Sequence, residues 1–167
     1  MEFMKLLIIG HGRHGKDTAA EMLHKSHGLS FQSSSEACNN EFIFDKLKDK
    51  YNYSTPEDSY KDRHNHREEW FKLVTEYNRE DPTRLARLIL STSDIYVGLR
   101  SRREYEACVK AKLFDHILWI DASKRLPPES ANSNELTAKD ADTVIYNNTT
   151  GPQHLFDRLL VWWLVDT

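Results

Sequence analysis

The chain has 167 residues, 39% of them hydrophobic and 29% charged, and a formal net charge of −3. That is enough chain for one domain with a hydrophobic core, spanning residues 1–167, and the balance excludes a disordered segment. It also excludes a protein that coats nucleic acid by bulk charge, though not a local basic groove.

Taken in chain order, "MKLLII" (residues 4–9) reads as a buried parallel strand, short, apolar and closed by Gly10. It runs into a glycine-rich loop, so the apolar start reads as a strand and not as a signal peptide. Residues 16–26 read as a helix with Ala19, Ala20, Met22 and Leu23 on its apolar side and Gly28 ending it. "LSFQ" (29–32) makes a short second strand, and a serine-capped helix follows over 33–51. Residues 54–80 look helical in two pieces, started by Ser54-Thr55-Pro56-Glu57. Asp81 and Pro82 open another helix to 93. The remainder reads as strand 94–99, helix 101–113, strand 116–122, strand 143–147 and a closing helix 151–165. Strands alternating with helices predict an α/β fold with a five-stranded, mostly parallel sheet. The polar stretch 122–137, "ASKRLPPESANSNELT", has the composition of a lid over a ligand. The tail "LFDRLLVWWLV" is broken by Asp157 and Arg158 and falls short of the roughly 18 apolar residues a membrane span needs. Two cysteines, Cys38 and Cys108, are too few for a disulfide framework and point to a reduced, cytoplasmic setting.

The chemistry begins at "GHGRHGKDT", Gly10, His11, Gly12, Arg13, His14, Gly15, Lys16, Asp17 and Thr18. Gly10, four residues, then Gly15-Lys16 fits the phosphate-binding P-loop, with a strand before it and a helix after it as that motif demands. Backbone N–H groups of the loop and the helix N-terminus would cradle phosphate, and Lys16 would reach the β- and γ-phosphates of ATP. Gly10-x-Gly12-x-x-Gly15 also matches a dinucleotide fingerprint. The lysine and the lack of an acidic residue ending the second strand favour a triphosphate. Asp17 stands where the P-loop usually has the Ser or Thr that holds Mg2+, and Gly98 stands where a strand-end Asp could assist. Asp17 is therefore the candidate Mg2+ ligand, with Thr18 on a phosphate; the alternative is that Asp17 only favours the helix N-terminus.

"GRHGKDTAAEML" resembles the opening of phage deoxynucleoside monophosphate kinases, "LRSRREYEAC" resembles their Arg-x-x-x-Glu segment, and "LWIDASKRLPP" resembles their strand and lid. The resemblance spans both ends of the chain and is weak over residues 35–90. It implies a three-layer P-loop kinase sandwich with a short lid, use of ATP and Mg2+, and the host cytoplasm of a bacteriophage as the setting. The same broad group includes kinases of 5-hydroxymethyluracil in DNA, on the way to hypermodified thymine, and the short chain and Gly98 look more like that small type. The expected activity is thus ATP-dependent phosphorylation of the hydroxymethyl group of that base in phage DNA. Alternatives are phosphorylation of a free deoxynucleoside monophosphate, or nucleotide binding without catalysis.

In such a sheet the ligand lies beyond the carboxyl ends of the strands, where three stretches converge. After the second strand, Glu36 is the candidate general base toward an acceptor hydroxyl, although Ser-Ser-Ser-Glu is also a good helix start. Arg100, Arg102 and Arg103 follow the third strand, with Arg100 the leading candidate for gripping a phosphate. Arg63, Arg67, Arg84 and Arg87 gather positive charge in the middle of the chain, as either a phosphate clamp or a solvated face. His64 and His66, two apart on a helix, do not suit a shared metal. Lys124 and Arg125 lie in the lid, where Arg125 could meet the transferring phosphate. Trp70 could stack on a base or simply pack in the core.

Overall fold

The computed structural model describes residues 4–131 and 133–167. Its sheet consists of β1 (Leu6–Ile9), β2 (Phe31–Ser33), β3 (Ile95–Val97), β4 (His116–Asp121) and β5 (Thr143–Tyr146). The order is β2-β3-β1-β4-β5, and every pairing is parallel. Parallel neighbours demand crossovers, and helices supply them. These are α1 (Lys16–His27), α2 (Ser34–Cys38), α3 (Phe44–Tyr51), α4 (Pro56–Asp62), α5 (Arg67–Tyr77), α6 (Arg84–Thr92), α7 (Arg102–Lys110) and α8 (Pro152–Asp166).

β1 is central and all four of its residues are fully buried. Its side chains alternate between the two faces. Leu6 and Ile8 join a core with Ala19, Ala20 and Leu23 of α1 and Leu155, Leu159 and Trp162 of α8. Leu7 and Ile9 join the opposite core with Ala37, Leu47, Trp70, Leu85 and Cys108. The result is helices, sheet, helices: a three-layer α/β sandwich on a five-stranded parallel sheet. Among the described residues no helix is long and apolar enough to cross a membrane.

The predicted elements shift in a few places. β2 starts at Phe31, and Ser33 both ends it and caps α2 by accepting from the Glu36 N–H. The long helix expected over 33–51 is interrupted by a π-turn at Asn39–Ile43. There Asn39 is buried, donates to the Pro56 carbonyl at 2.8 Å and accepts from Ser59 Oγ at 2.8 Å, so the local irregularity ties this helix to α4. Residues 54–80 do form two helices, parted by a 3-10 turn at Arg63–Asn65. α6 begins at Arg84, because Asp81 turns back to accept from the Thr83 N–H and hydroxyl.

Candidate active site

β1 delivers the chain into the glycine loop, and the loop's shape is set by how close it runs to other backbone. Gly10 has φ +149°, and a Cβ there would lie 2.6 Å from the Ile120 carbonyl oxygen of β4. Gly15, at φ +104°, precedes α1, and a Cβ there would lie 2.6 Å from Asn147 Nδ2. Both positions therefore exclude side chains. Lys16 opens α1 and folds over the loop, with Nζ donating to the His11 carbonyl at 2.9 Å. Burial, then the positive charge of Arg100, pushes its pKa down to about 8. A lysine in that state gains from an arriving anion.

The histidines of the loop hold it in place with their side chains. His14 is fully buried. Its Nδ1 accepts from the Ala122 N–H at 3.0 Å, and its Nε2 lies 3.2 Å from the Pro127 carbonyl, which fixes the proton on Nε2. His11 packs edge-on against Trp119, and its Nδ1 accepts from the Glu129 N–H at 3.2 Å. Both rings are thus engaged within the fold, which leaves only their backbone to face the cleft. Two asparagines complete the brace: Asn147 Nδ2 donates to the His14 carbonyl at 2.9 Å, and Asn134 Nδ2 donates to the Gly10 carbonyl at 3.2 Å. The stretch after β4 is therefore fastened to the loop at Pro127 and at Asn134.

In front of the loop lies a cleft of about 490 Å³. Gly12, Arg13, Lys16 and Asp17 form one end. Arg63, His64 and Arg67 line it from the 3-10 turn and α5, and Ser33, Ser34, Ser35, Tyr60, Trp70, Val97, Gly98, Arg100 and Glu129 complete the wall. Arg13, at φ +65°, is exposed at its mouth. Asp17 is exposed on the first turn of α1.

No protein-family model matches the sequence, and no curated protein matches it. Two solved structures follow the chain along nearly its whole length. A sugar kinase from Janibacter sp. HTCC2649, solved without ligand, shares 17% identity over 98% of this chain and 96% of its own, with a TM-score of 0.49. Shikimate kinase from Aquifex aeolicus vf5 shares 14% identity over 98% of both chains, with a TM-score of 0.48. The strand order and the geometry of the glycine loop and Lys16 define the fold here independently of these likenesses.

The other sequence candidates divide sharply. Arg100 is in the cleft, and its Nη1 donates to Glu129 Oε1 at 2.6 Å. Arg102 is instead engaged with both oxygens of Asp140, at 2.7 and 2.9 Å. Arg103 donates to the carbonyls of Asn78 and Arg79 just past α5, which explains arginines at the start of a helix. Arg84 lies over the Tyr77 ring and Arg87 donates to Thr83, so neither belongs to the cleft lining. Arg125 is exposed and its Nε donates to the Asn147 carbonyl, placing it behind the loop's brace. Glu36 is exposed on α2, and Thr18 is exposed on α1; neither lines the cleft. His66 stacks on Tyr51 and reaches Asp62 at 2.9 Å, while His64 lies 3.3 Å from an Arg67 nitrogen.

Glu129, Asn134 and Asn147 are site residues that the sequence did not announce. Each lies more than a hundred residues from the loop it contacts, and no spacing rule links them. The one available signal is position: all three follow the carboxyl ends of β4 or β5.

The residues present suit ATP and Mg2+. The loop has backbone where any Cβ would obstruct, and a lysine held nearby. Asp17 offers a hard oxygen ligand at the cleft wall. Among the described residues no group of three His, Cys, Asp or Glu side chains converges on a metal position. A Mg2+ ion here would take Asp17 together with phosphate oxygens and water, the usual manner of that ion.

A second cavity, of about 240 Å³, opens beside the cleft and shares Ser34, Ser35, Trp70, Gly98 and Arg100 with it. Its walls are largely apolar: Cys38, Phe71, Val74, Leu85, Tyr96 and Leu99, with Glu104 among them. Gly98, at φ +95°, stands at the junction of the two spaces.

Proposed function

We propose that this protein is an ATP- and Mg2+-dependent phosphotransferase acting on a deoxynucleotide-type acceptor. One observation carries the reading: Arg63, Arg67 and Arg100 line the space between the glycine loop and an apolar, aromatic-walled cavity. Cations in the middle and an apolar pocket beyond suit a molecule with a phosphate at one end and a flat ring at the other.

Bound MgATP would supply an activated γ-phosphoryl group. Lys16 would neutralise the charge that develops on its oxygens, and Asp17 would hold the Mg2+. Arg100 would position the acceptor phosphate, whose oxygen attacks the γ-phosphorus as the bond to the β–γ bridging oxygen breaks. Positioning and charge neutralisation do most of the work in such a transfer. A free deoxynucleoside monophosphate needs no general base, because its phosphate is already ionised. The arginine-lined cleft favours that acceptor.

The sequence resemblance also suggests the hydroxymethyl group of 5-hydroxymethyluracil in DNA. Glu129 favours this second reading. A hydroxyl acceptor needs a carboxylate base near the phosphoryl position, and Glu129 lies beside Gly12 while Glu36 lies outside the cleft lining.

The test offers γ-labelled ATP and Mg2+ with the deoxynucleoside monophosphates, DNA containing 5-hydroxymethyluracil, and unmodified DNA. Label in a free monophosphate, absent with Lys16→Ala, is the expected result. Label in modified DNA alone selects the second reading. ATP binding with no transfer to any acceptor overturns both.

A further inference from the structure

Two tyrosines outside the cleft lining grip the segment that carries its arginines. Tyr51 ends α3, and Tyr53 follows just after it. The Tyr51 hydroxyl donates to Glu69 Oε2 of α5 at 2.5 Å, and the Tyr53 hydroxyl donates to Asp62 Oδ2 of α4 at 2.6 Å. Asp62 also accepts from Asn65 Nδ2 at 2.6 Å and lies 2.9 Å from His66 Nε2. The His66 ring stacks on Tyr51, with centroids 3.9 Å apart. One carboxylate therefore joins the end of α4, the 3-10 turn Arg63–Asn65, the residue before α5 and the chain after α3. Tyr51, Tyr53, Asp62 and Glu69 do not line the cleft, whereas Arg63, His64 and Arg67 do.

The local needs of the chain do not account for Asp62. It is the last residue of α4, where the helix dipole disfavours a carboxylate and favours a cation. Nor does it neutralise the arginine next to it. Among the described residues neither Arg63 nor Arg67 is in an ion pair. Arg63 lies over the Tyr60 ring and donates to the Tyr60 carbonyl, and Arg67 lies beside His64. The tyrosine hydroxyls thus engage two carboxylates close in sequence to two arginines, and the arginines stay open to an anion.

We infer that Asp62 is a positioning residue of the acceptor site, fixing the turn so that Arg63 meets the acceptor phosphate. The inference rests on the proposed reading, in which the cleft arginines grip that phosphate. A guanidinium makes two parallel bonds to phosphate only when its plane and place are set. On an unsupported turn it would have to be ordered at the moment of binding, which weakens affinity. Loss of the support therefore acts on the ligand through a displaced cation, without any contact of its own.

Calorimetric binding of dTMP, dGMP, dCMP and dAMP without ATP, and of MgATP alone, tests this. Asp62→Ala should weaken the best-bound monophosphate about tenfold and leave MgATP affinity unchanged. Asp62→Asn keeps an oxygen for Tyr53 and His66 and should restore most of the loss. Tyr53→Phe removes one hydroxyl and should show a smaller loss of the same kind, even if the alanine variant fails to fold. The deciding comparison is made in an Arg63→Ala background. If Asp62 acts through Arg63, Asp62→Ala adds almost nothing there. If the two losses simply add, or if MgATP affinity falls in step, Asp62 is only structural: the inference falls and the proposed reading stands. Native-like monophosphate binding by both Asp62→Ala and Tyr53→Phe overturns it as well. Losses that do not add, in a protein that never transfers label, would leave the positioning role standing and end the transferase reading. A native protein that binds no monophosphate ends both.

Discussion

Arg100 and Glu129 meet across the front of the glycine loop, with Arg100 Nη1 donating to Glu129 Oε1 at 2.6 Å. A Cβ on Gly12 would lie 2.5 Å from that same oxygen, so the carboxylate rests against the loop backbone. Its other oxygen is buried without a hydrogen-bond partner. The protein thus keeps a negative group against the glycine loop and an arginine committed to it. Replacing the charge should free Arg100 and remove repulsion toward phosphate. Glu129→Gln is expected to bind MgATP about tenfold more tightly, a modest factor because the pair is partly exposed and screened. Calorimetric titration checks it, and an unchanged affinity would make the pair a bystander. The same variant separates the two acceptors: transfer to a hydroxyl would fall about a hundredfold without a base, and transfer to a monophosphate would not.

Lys16 gives a pH signature. Its pKa is pushed down to about 8, against 10.5 for an ordinary lysine. Between those values the unfolded chain holds a proton that the native chain has released. From this group alone, the protein gains stability as pH rises through that window. Nucleotide binding has the opposite sign, because the phosphates favour the charged lysine. Affinity for ATP should be level below pH 8 and fall up to about tenfold per pH unit above it. Affinity that stays level to pH 9.5 would remove Lys16 from the phosphate site.

Asp17 stands where a hydroxyl is usual, and its carboxylate lines the cleft. Asp17→Asn keeps the shape and loses the charge. The Mg2+ concentration for half-maximal transfer should rise about tenfold. If the magnesium titration is unmoved, Asp17 serves α1 by charge at its N-terminus, and the variant should instead lower the melting temperature by a few degrees.

Gly10→Ala tests the loop's fit against β4. The obstructing group is the Ile120 backbone carbonyl, which cannot swing aside as a side chain would. A loss of about 2–3 kcal/mol in folding stability is expected from the urea midpoint, together with loss of ATP binding. A variant of native stability would show that β4 and the loop are not locked at this point.

Much of this was legible in the sequence, for definite reasons. Leu6–Ile9 is a continuous apolar run, as a strand buried on both faces must be, and Gly15-Lys16 at its end has few other uses. Arg100 could be picked out because it follows β3 at the sheet's carboxyl edge. Arg102 and Arg103 could not be separated from it, since only packing shows that Asp140 and the carbonyls of Asn78 and Arg79 engage them. Glu36 looked like a base for a related reason: Ser-Ser-Ser-Glu announces a helix start, and a helix start does not say which way its third residue points. Glu104 shows the same limit in reverse. Its cap spacing after Ser101 is ordinary, and its inward turn depends on Tyr96, on a neighbouring strand. The π-turn at Asn39 was likewise invisible, because its cause is two hydrogen bonds to α4.

The stretch Gly10 to Thr18 is synthesised before the residues that shape it. β1 pairs with Ile95–Val97 and His116–Trp119. The His14 ring waits for Ala122 and Pro127, the Gly10 carbonyl for Asn134, and the His14 carbonyl for Asn147. At about 5–20 residues per second, the glycine loop stays unbraced for about ten seconds after its own residues are made. Contacts so distant in sequence also place this site among the slow steps of folding. A nascent chain that has not yet reached β5 carries the whole glycine motif and lacks the last of its braces.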